Sequence, residues 1–169
     1  MRLLIDSCSD LSLERAHELG IEVLPLIIQI DDKSYKDQIE ITSEEVINAI
    51  KDGKRPLTSQ PNPETYFEVF EPLVKQDESI IYLGFSSELS GAFQSSVIAK
   101  EMILEKYPDA DITLINSYAA SYGLGMLVER AASYIKNETD KDTIIEKINE
   151  DLKQIRHLFT VNDLNYLAQ

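Results

Sequence analysis

Apolar and polar positions along this chain fall into blocks that switch between the period of a strand and the period of a helix. Leu3-Leu4-Ile5 is a short apolar run cut off by Asp6-Ser7-Cys8-Ser9-Asp10. A helical stretch follows from about Leu11 to Leu19 and stops at Gly20, where a left-handed turn has no steric cost. Ile21 to Ile30 reads as a pair of strands interrupted at Pro25 and turning at Asp31-Asp32. Thr42-Ser43-Glu44-Glu45 has the reciprocal capping pattern of a helix start, and that helix runs to about Lys51. Asn62-Pro63 joins an N-cap side chain to a proline at the first helical position, opening a helix to about Val74. Ser79 to Phe85 reads as one continuous apolar strand, the pattern expected where both faces are covered. Further helices are predicted over Ala92–Lys106, from about Ala119 to Lys136, and from Asp140 to about Ile155. Further strands are predicted at Asp111–Ile115 and Leu158–Val161, the latter leading into the first turns of a helix at Asn162–Ala168.

Strands alternating with helices at this spacing predict βαβ units, and so an α/β fold: a largely parallel, doubly wound sheet with helices on both faces. Ligands of such sheets sit beyond the carboxyl ends of the strands. Three loops fall there, after Ile5, Phe85 and Ile115, and each carries serine: Ser7, Ser86 and Ser117. Two hydroxyl-rich stretches also stand directly before predicted helix starts, Thr58-Ser59-Gln60-Pro61 and Ser86-Ser87-Glu88-Leu89-Ser90-Gly91. Hydroxyls and unpaired N–H groups at helix N-termini make a neutral anion cradle. Neither stretch contains Lys or Arg, although Lys54 and Arg55 lie a few residues before the first. Without cations a small anion is held weakly, which suits a ligand bound mainly through a long apolar tail. Taken alone, Ser90 reads equally well as the plain cap of its helix.

Composition narrows the classes. A chain of 169 residues is the length of one well-packed domain, and its formal charge of 16 − 30 = −14 argues against nucleic acid and anionic membrane surfaces as partners. The single cysteine, Cys8, excludes an internal disulfide and fits a reducing compartment. Met1-Arg2-Leu3-Leu4-Ile5-Asp6 reaches an acid after three apolar residues, the pattern of neither a signal peptide nor a membrane span, so a cytoplasmic location without membrane insertion is expected. No Cys/His cluster points to a metal, and no glycine-rich phosphate loop points to a nucleotide, so no cofactor is expected. Cys8 at a helix N-terminus has the placement of an activated nucleophile, but no Cys–His motif accompanies it and the histidines are His17 and His157. A small packing residue is the simpler reading. Gly84-Phe85-Ser86-Ser87 lacks the Gly-x-Ser-x-Gly elbow of a serine hydrolase. Gly123 and Gly125 indicate a close backbone approach, either to a neighbouring segment or to a ligand.

The motifs resemble, in order and along essentially the whole chain, those of the DegV family of bacterial fatty-acid-binding proteins. The likeness is carried by Asp6-Ser7-Cys8-Ser9-Asp10-Leu11, Pro25-Leu26, Tyr35-Lys36-Asp37, Thr58-Ser59-Gln60-Pro61 and Leu89-Ser90-Gly91-Ala92-Phe93-Gln94-Ser95. It continues through Ser117, Gly123, Gly125 and Asp163-Leu164-Asn165-Tyr166-Leu167. The resemblance implies an α/β first domain over residues 1–156, with 157–169 opening an α+β second domain that the sequence does not complete. It further implies a non-enzymatic carrier of a long-chain fatty acid such as palmitate, held in a tunnel between the domains, and in some members presented to a fatty-acid kinase that makes acyl phosphate. Carried onto this chain, the carboxylate contacts are Thr58 or Ser59 and Ser90 with Gly91, supported by the loops of Ser7, Ser86 and Ser117. Cys8 and Ala92 stand where the family usually has Thr, Asn116 stands where Asp is usual, and a Gly-Gly-Arg segment expected after Leu167 is absent. The alternatives are an enzyme or phosphotransfer relay using Ser90 or Cys8, and a scaffold whose serines only cap helices.

Overall fold

The computed structural model describes residues 1–138 and 140–161. Four strands form a parallel sheet in the order β2-β1-β6-β7: β1 (Arg2–Asp6), β2 (Glu22–Leu24), β6 (Ile80–Gly84) and β7 (Ile112–Asn116). Three more, β3 (Ile27–Ile30), β4 (Lys33–Lys36) and β5 (Leu57–Ser59), form a small antiparallel sheet in the order β4-β3-β5. The helices are α1 (Leu13–Leu19), α2 (Ser43–Lys51), α3 (Pro63–Val74), α4 (Ala92–Lys106), α5 (Ser121–Asn137) and α6 (Lys141–Leu152), and a 3-10 turn covers Ser7–Ser9.

The period-two alternation of the central strands decides which helix packs where. Leu3 and Ile5 of β1 and Ile81 and Leu83 of β6 face α1, α5 and α6, meeting Ala16, Leu124, Val128 and Ile144. Leu4, Ile80 and Tyr82 face the other way, onto Tyr66 and Phe70 of α3 and Ala99 and Ile103 of α4. All five residues of β6 are buried, as its unbroken apolar run predicts. Each fully buried aliphatic or aromatic side chain here contributes about 1.5–3 kcal/mol. The small sheet has only a satellite core, Ile28, Ile30 and Ile41, under Val46 and Ala49 of α2.

Helix starts fall where the caps place them. Ser12 accepts from Arg15 N, Asn62 from Thr65 N and Asp140 from Thr143 N, and Thr42 with Glu45 closes the reciprocal box. Three expectations change. β4 is exposed apart from half-buried Tyr35 and β5 is three exposed residues, so neither carries an apolar pattern, and both owe their strand geometry to pairing with β3. Leu158–Val161 is not a strand: Leu158 and Phe159 stand 98% and 78% exposed, with no strand paired to them among the described residues. The helical turns expected at Asn162–Ala168 lie outside the described residues.

Candidate functional site

At the carboxyl end of the parallel sheet, the loops leaving β1, β6 and β7 carry the three predicted supporting serines, all buried. Ser7 Oγ accepts Leu26 N at 3.1 Å, Ser86 Oγ accepts Glu88 N at 3.3 Å and Ser117 Oγ accepts Ala119 N at 3.0 Å. These hydroxyls shape their loops. Asn116 ties two of the loops together, accepting Ser87 N at 3.2 Å and donating through Nδ2 to Ser87 Oγ at 2.6 Å.

Above the loops lies an open depression of about 670 Å3. Thr58, Ser59 and Gln60 line one side and Leu89, Ser90 and Gly91 the other, with Cys8, Leu26 and Phe85 completing the wall. The structure therefore brings together all four residues singled out for an anion. No lysine or arginine lines it, and Lys54 is turned into an ion pair with Asp31 at 2.9 Å.

The two halves are built differently from expectation. Thr58 and Ser59 belong to β5, opposite Ile28 and Ile27 of β3, rather than to a helix-start loop. Asn62 closes the α3 N-terminus, as its Asn-Pro pair predicts, so this wall offers hydroxyls and not helix N–H groups. Neither hydroxyl has a hydrogen-bond partner among the described residues. On the other wall, Ser90 N donates to Ser86 O at 3.1 Å and Ser90 Oγ accepts Ala92 N at 3.2 Å. Gly91 occupies the N-cap of α4 and no side chain closes that position. A Cβ on Gly91 would sit 2.5 Å from Gln60 Oε1, so the Gln60 amide lies across the gap between the walls, and its Nε2 reaches Ser95 Oγ at 3.5 Å.

Beneath the depression, Asp6 at the end of β1 is fully buried. Its Oδ1 accepts from Tyr66 OH at 3.0 Å and its Oδ2 accepts the backbone N–H of Phe85 at 2.7 Å. Tyr82 OH lies 2.7 Å from both oxygens and 3.1 Å from Tyr66 OH. Burial raises the Asp6 pKa above the ordinary carboxylate value, and the donors from Phe85, Tyr82 and Tyr66 work against that shift. Burial pushes the Cys8 thiol up to about 12, reinforced by the negative charges of Asp6, Asp37 and Asp10. That is the opposite of an activated thiolate.

Leu89, 67% exposed, also lines a second concavity of about 770 Å3, shared with Tyr122, Met126, Ile155, Leu158 and Phe159. Its walls are predominantly apolar, and Tyr122 and Met126 are exposed at 77% and 52%. The glycines of α5 serve packing: a Cβ on Gly125 would lie 2.5 Å from Ser9 O, and one on Gly123 would strike the His157 ring. His157 Nε2 meets the Ala120 backbone at 3.2–3.3 Å and is not aimed at Cys8 or Ser90. Among the described residues there is no group of three His, Cys, Asp or Glu placed to hold a metal, and no helix long and apolar enough to cross a membrane.

A family model described as "Uncharacterised protein, DegV family" matches residues 1–169. The chain belongs to the DegV family. It is 43% identical over 166 residues to a DegV domain-containing protein of Clostridium perfringens, covering 97% of this chain and 57% of that one. The fold is similar to that of a stearic acid-binding protein from Eubacterium ventriosum, with a TM-score of 0.83 at 27% identity over 88% of this chain and 52% of the other. It is also similar to a DegV family protein from Thermus thermophilus described for fatty acid binding, with a TM-score of 0.80 at 29% identity over 90% and 53%. The chain thus spans a little over half the length of these DegV relatives.

Sequence reasoning located the hydroxyl walls but passed over Gln60 and Asp6 as parts of the site. The available signal for Asp6 was strand parity, since it shares the face of Leu4, which is otherwise buried.

Proposed function

We propose that this chain is the first domain of a non-enzymatic carrier of a long-chain fatty acid, with the carboxylate held between Thr58 or Ser59 and Ser90-Gly91. The observation that carries the reading is a cation-free hydroxyl depression joined, at exposed Leu89, to an apolar concavity. A carboxylate accepting two or three such hydrogen bonds gains about 1.5–3 kcal/mol from each before desolvation. Each buried CH2 adds about 0.8 kcal/mol, so a sixteen-carbon tail contributes on the order of 10 kcal/mol and dominates the affinity. Covering that tail needs a second wall, and we assign it to the part of the DegV relatives' length that this chain does not span, entered through residues 157–169.

The neutral Cys8 thiol and the absence of a base beside Ser90 among the described residues support carriage over covalent chemistry. The family resemblance supports a further element, presentation of the bound acid to a fatty-acid kinase. The lone cysteine supports a cytoplasmic setting. Mass spectrometry of organic extracts from the purified intact protein tests the core of the proposal. A co-purified acid of about fourteen to eighteen carbons is expected, in keeping with a tail-dominated affinity. Lipid-free protein that also fails to take up added acid, or an acyl adduct on Cys8 or Ser90, overturns it.

A further inference from the structure

We propose that Asp6 is the positioning residue of the depression: its carboxylate sets the spacing of the two hydroxyl walls and, through it, the preference for an acid headgroup. The inference rests on the fatty-acid reading above. Its physical basis is that one buried group holds both the loop that leads to the Ser90 wall and the helix that follows the Thr58-Ser59-Gln60 wall. Tyr66, which donates to Oδ1 at 3.0 Å, lies in the opening turns of α3, which Pro61 and Asn62 join to Thr58-Ser59-Gln60. Phe85, whose N–H donates to Oδ2 at 2.7 Å, is the first residue after β6 and the start of the Ser86–Gly91 loop. Ser86 O then receives both Leu89 N and Ser90 N at 3.1 Å, so the orientation fixed at Phe85 passes to Ser90. Tyr82, donating to the same carboxylate from inside β6, braces the arrangement against the sheet.

A third contact extends the frame. Ser7, the next residue, holds Leu26 N through its hydroxyl at 3.1 Å, and Leu26 lines the depression. Holding strands together does not by itself require a buried carboxylate, because well-packed apolar groups of similar volume serve at least as well. What a carboxylate adds is several directional acceptor sites on one small group, enough to orient together an N–H at the start of the Ser90 loop and a hydroxyl of the helix that follows the Thr58-Ser59-Gln60 wall. A carboxylate ligand bridging both walls depends on that spacing. A fatty alcohol of the same length, satisfied by one wall, does not.

The test measures affinities for hexadecanoate and hexadecanol by calorimetry in the intact protein, for wild type, Asp6→Ala and Asp6→Asn. The acid-to-alcohol preference should fall about tenfold in Asp6→Ala, the scale of one lost bond to a charged group. Asp6→Asn should recover most of it, because the amide oxygen still accepts Phe85 N–H and its NH2 donates to the tyrosine oxygens. Equal weakening of both ligands by Asp6→Ala, or no recovery in Asp6→Asn, overturns the proposal and leaves Asp6 a structural group. A wild-type protein that binds neither ligand overturns the fatty-acid reading instead. If Asp6→Ala does not fold, Tyr66→Phe frees the start of α3, behind the Thr58-Ser59-Gln60 wall, while leaving the other donors in place. It should lower the preference about threefold, the scale of a single net hydrogen bond, and an unchanged preference overturns the proposal.

Discussion

Gly125→Ala puts two opposed effects of known size against each other. Replacing a helix-interior glycine by alanine stabilises a helix by about 1 kcal/mol, and Gly125 lies inside α5. Against this, the new Cβ would meet Ser9 O at 2.5 Å, well inside the 3.0 Å that real Cβ contacts respect. The gap must open by about half an ångström to reach that limit and by nearly one to reach ordinary contact, as packed groups at close range require. The obstacle is backbone, not the swinging end of a side chain. The 3-10 turn that carries Ser9 is pinned by Leu26 N on Ser7 Oγ, by Gln38 Nε2 on Ser7 O at 3.1 Å, and by Leu11 N on Ser9 Oγ at 3.4 Å. Overpacking of this kind costs about 1–3 kcal/mol, so the clash outweighs the propensity gain and the net loss is about 1 kcal/mol. Urea unfolding at unchanged m should show a lower midpoint, and the melting temperature should drop by about 2–4 °C for a chain of this size. Stabilisation by about 1 kcal/mol would refute the reasoning, since it would mean that the turn yields freely and that Cys8 and its neighbours form no rigid part of the site.

Ser90→Ala in the intact protein should weaken fatty-acid binding by about 1–2 kcal/mol, read by calorimetry, while the lost bond to Ala92 N lowers stability by about 1 kcal/mol. Undiminished affinity would reduce Ser90 to a helix cap. With its thiol pushed up to about 12, Cys8 should resist iodoacetamide in the native protein at neutral pH and react on unfolding. Alkylation of the native protein at the rate of a free thiol would contradict the burial and the acidic surroundings assigned to it. Glu71 takes Lys106 Nζ at 2.6 Å, Lys75 Nζ at 2.9 Å and Tyr107 OH at 3.0 Å, which lowers its carboxyl from the ordinary 4.5 to about 2. Its folded value lies below its unfolded one, so its contribution is present above pH 4.5 and is lost as the pH falls toward about 2. Glu71→Gln should flatten that part of the acid-stability curve, and superimposable curves for the two proteins between those pH values would refute the assignment.

How much of this was legible in the sequence follows from where each signal is stored. β1, β6 and β7 were readable because strands between helix layers carry apolar runs, unbroken in β6, and the helices because their caps are local. β4 and β5 were not, since an exposed edge strand of three or four residues is defined by its partner and not by its own side chains. The same distinction runs through the site. Ser90 and Gly91 stand where a helix begins, and the sequence says so. Thr58 and Ser59 were expected in a loop before a helix start, and they reach the depression through pairing with β3 instead, while Asn62 closes α3 as its sequence predicts. Asp6 was hidden most deeply, because its partners Tyr66 and Tyr82 stand 60 and 76 positions away. Yet an acid on the apolar parity of a central strand is costly without hydrogen-bond donors, so the period-two pattern alone implies that partners must come from the helix layer it faces. Applied to β1, that argument points to the face covered by α3, where Tyr66 of that helix and Tyr82 of the neighbouring strand β6 are found. The walls of the depression were therefore readable as motifs, whereas the group that joins them was readable only as a violation of the burial pattern.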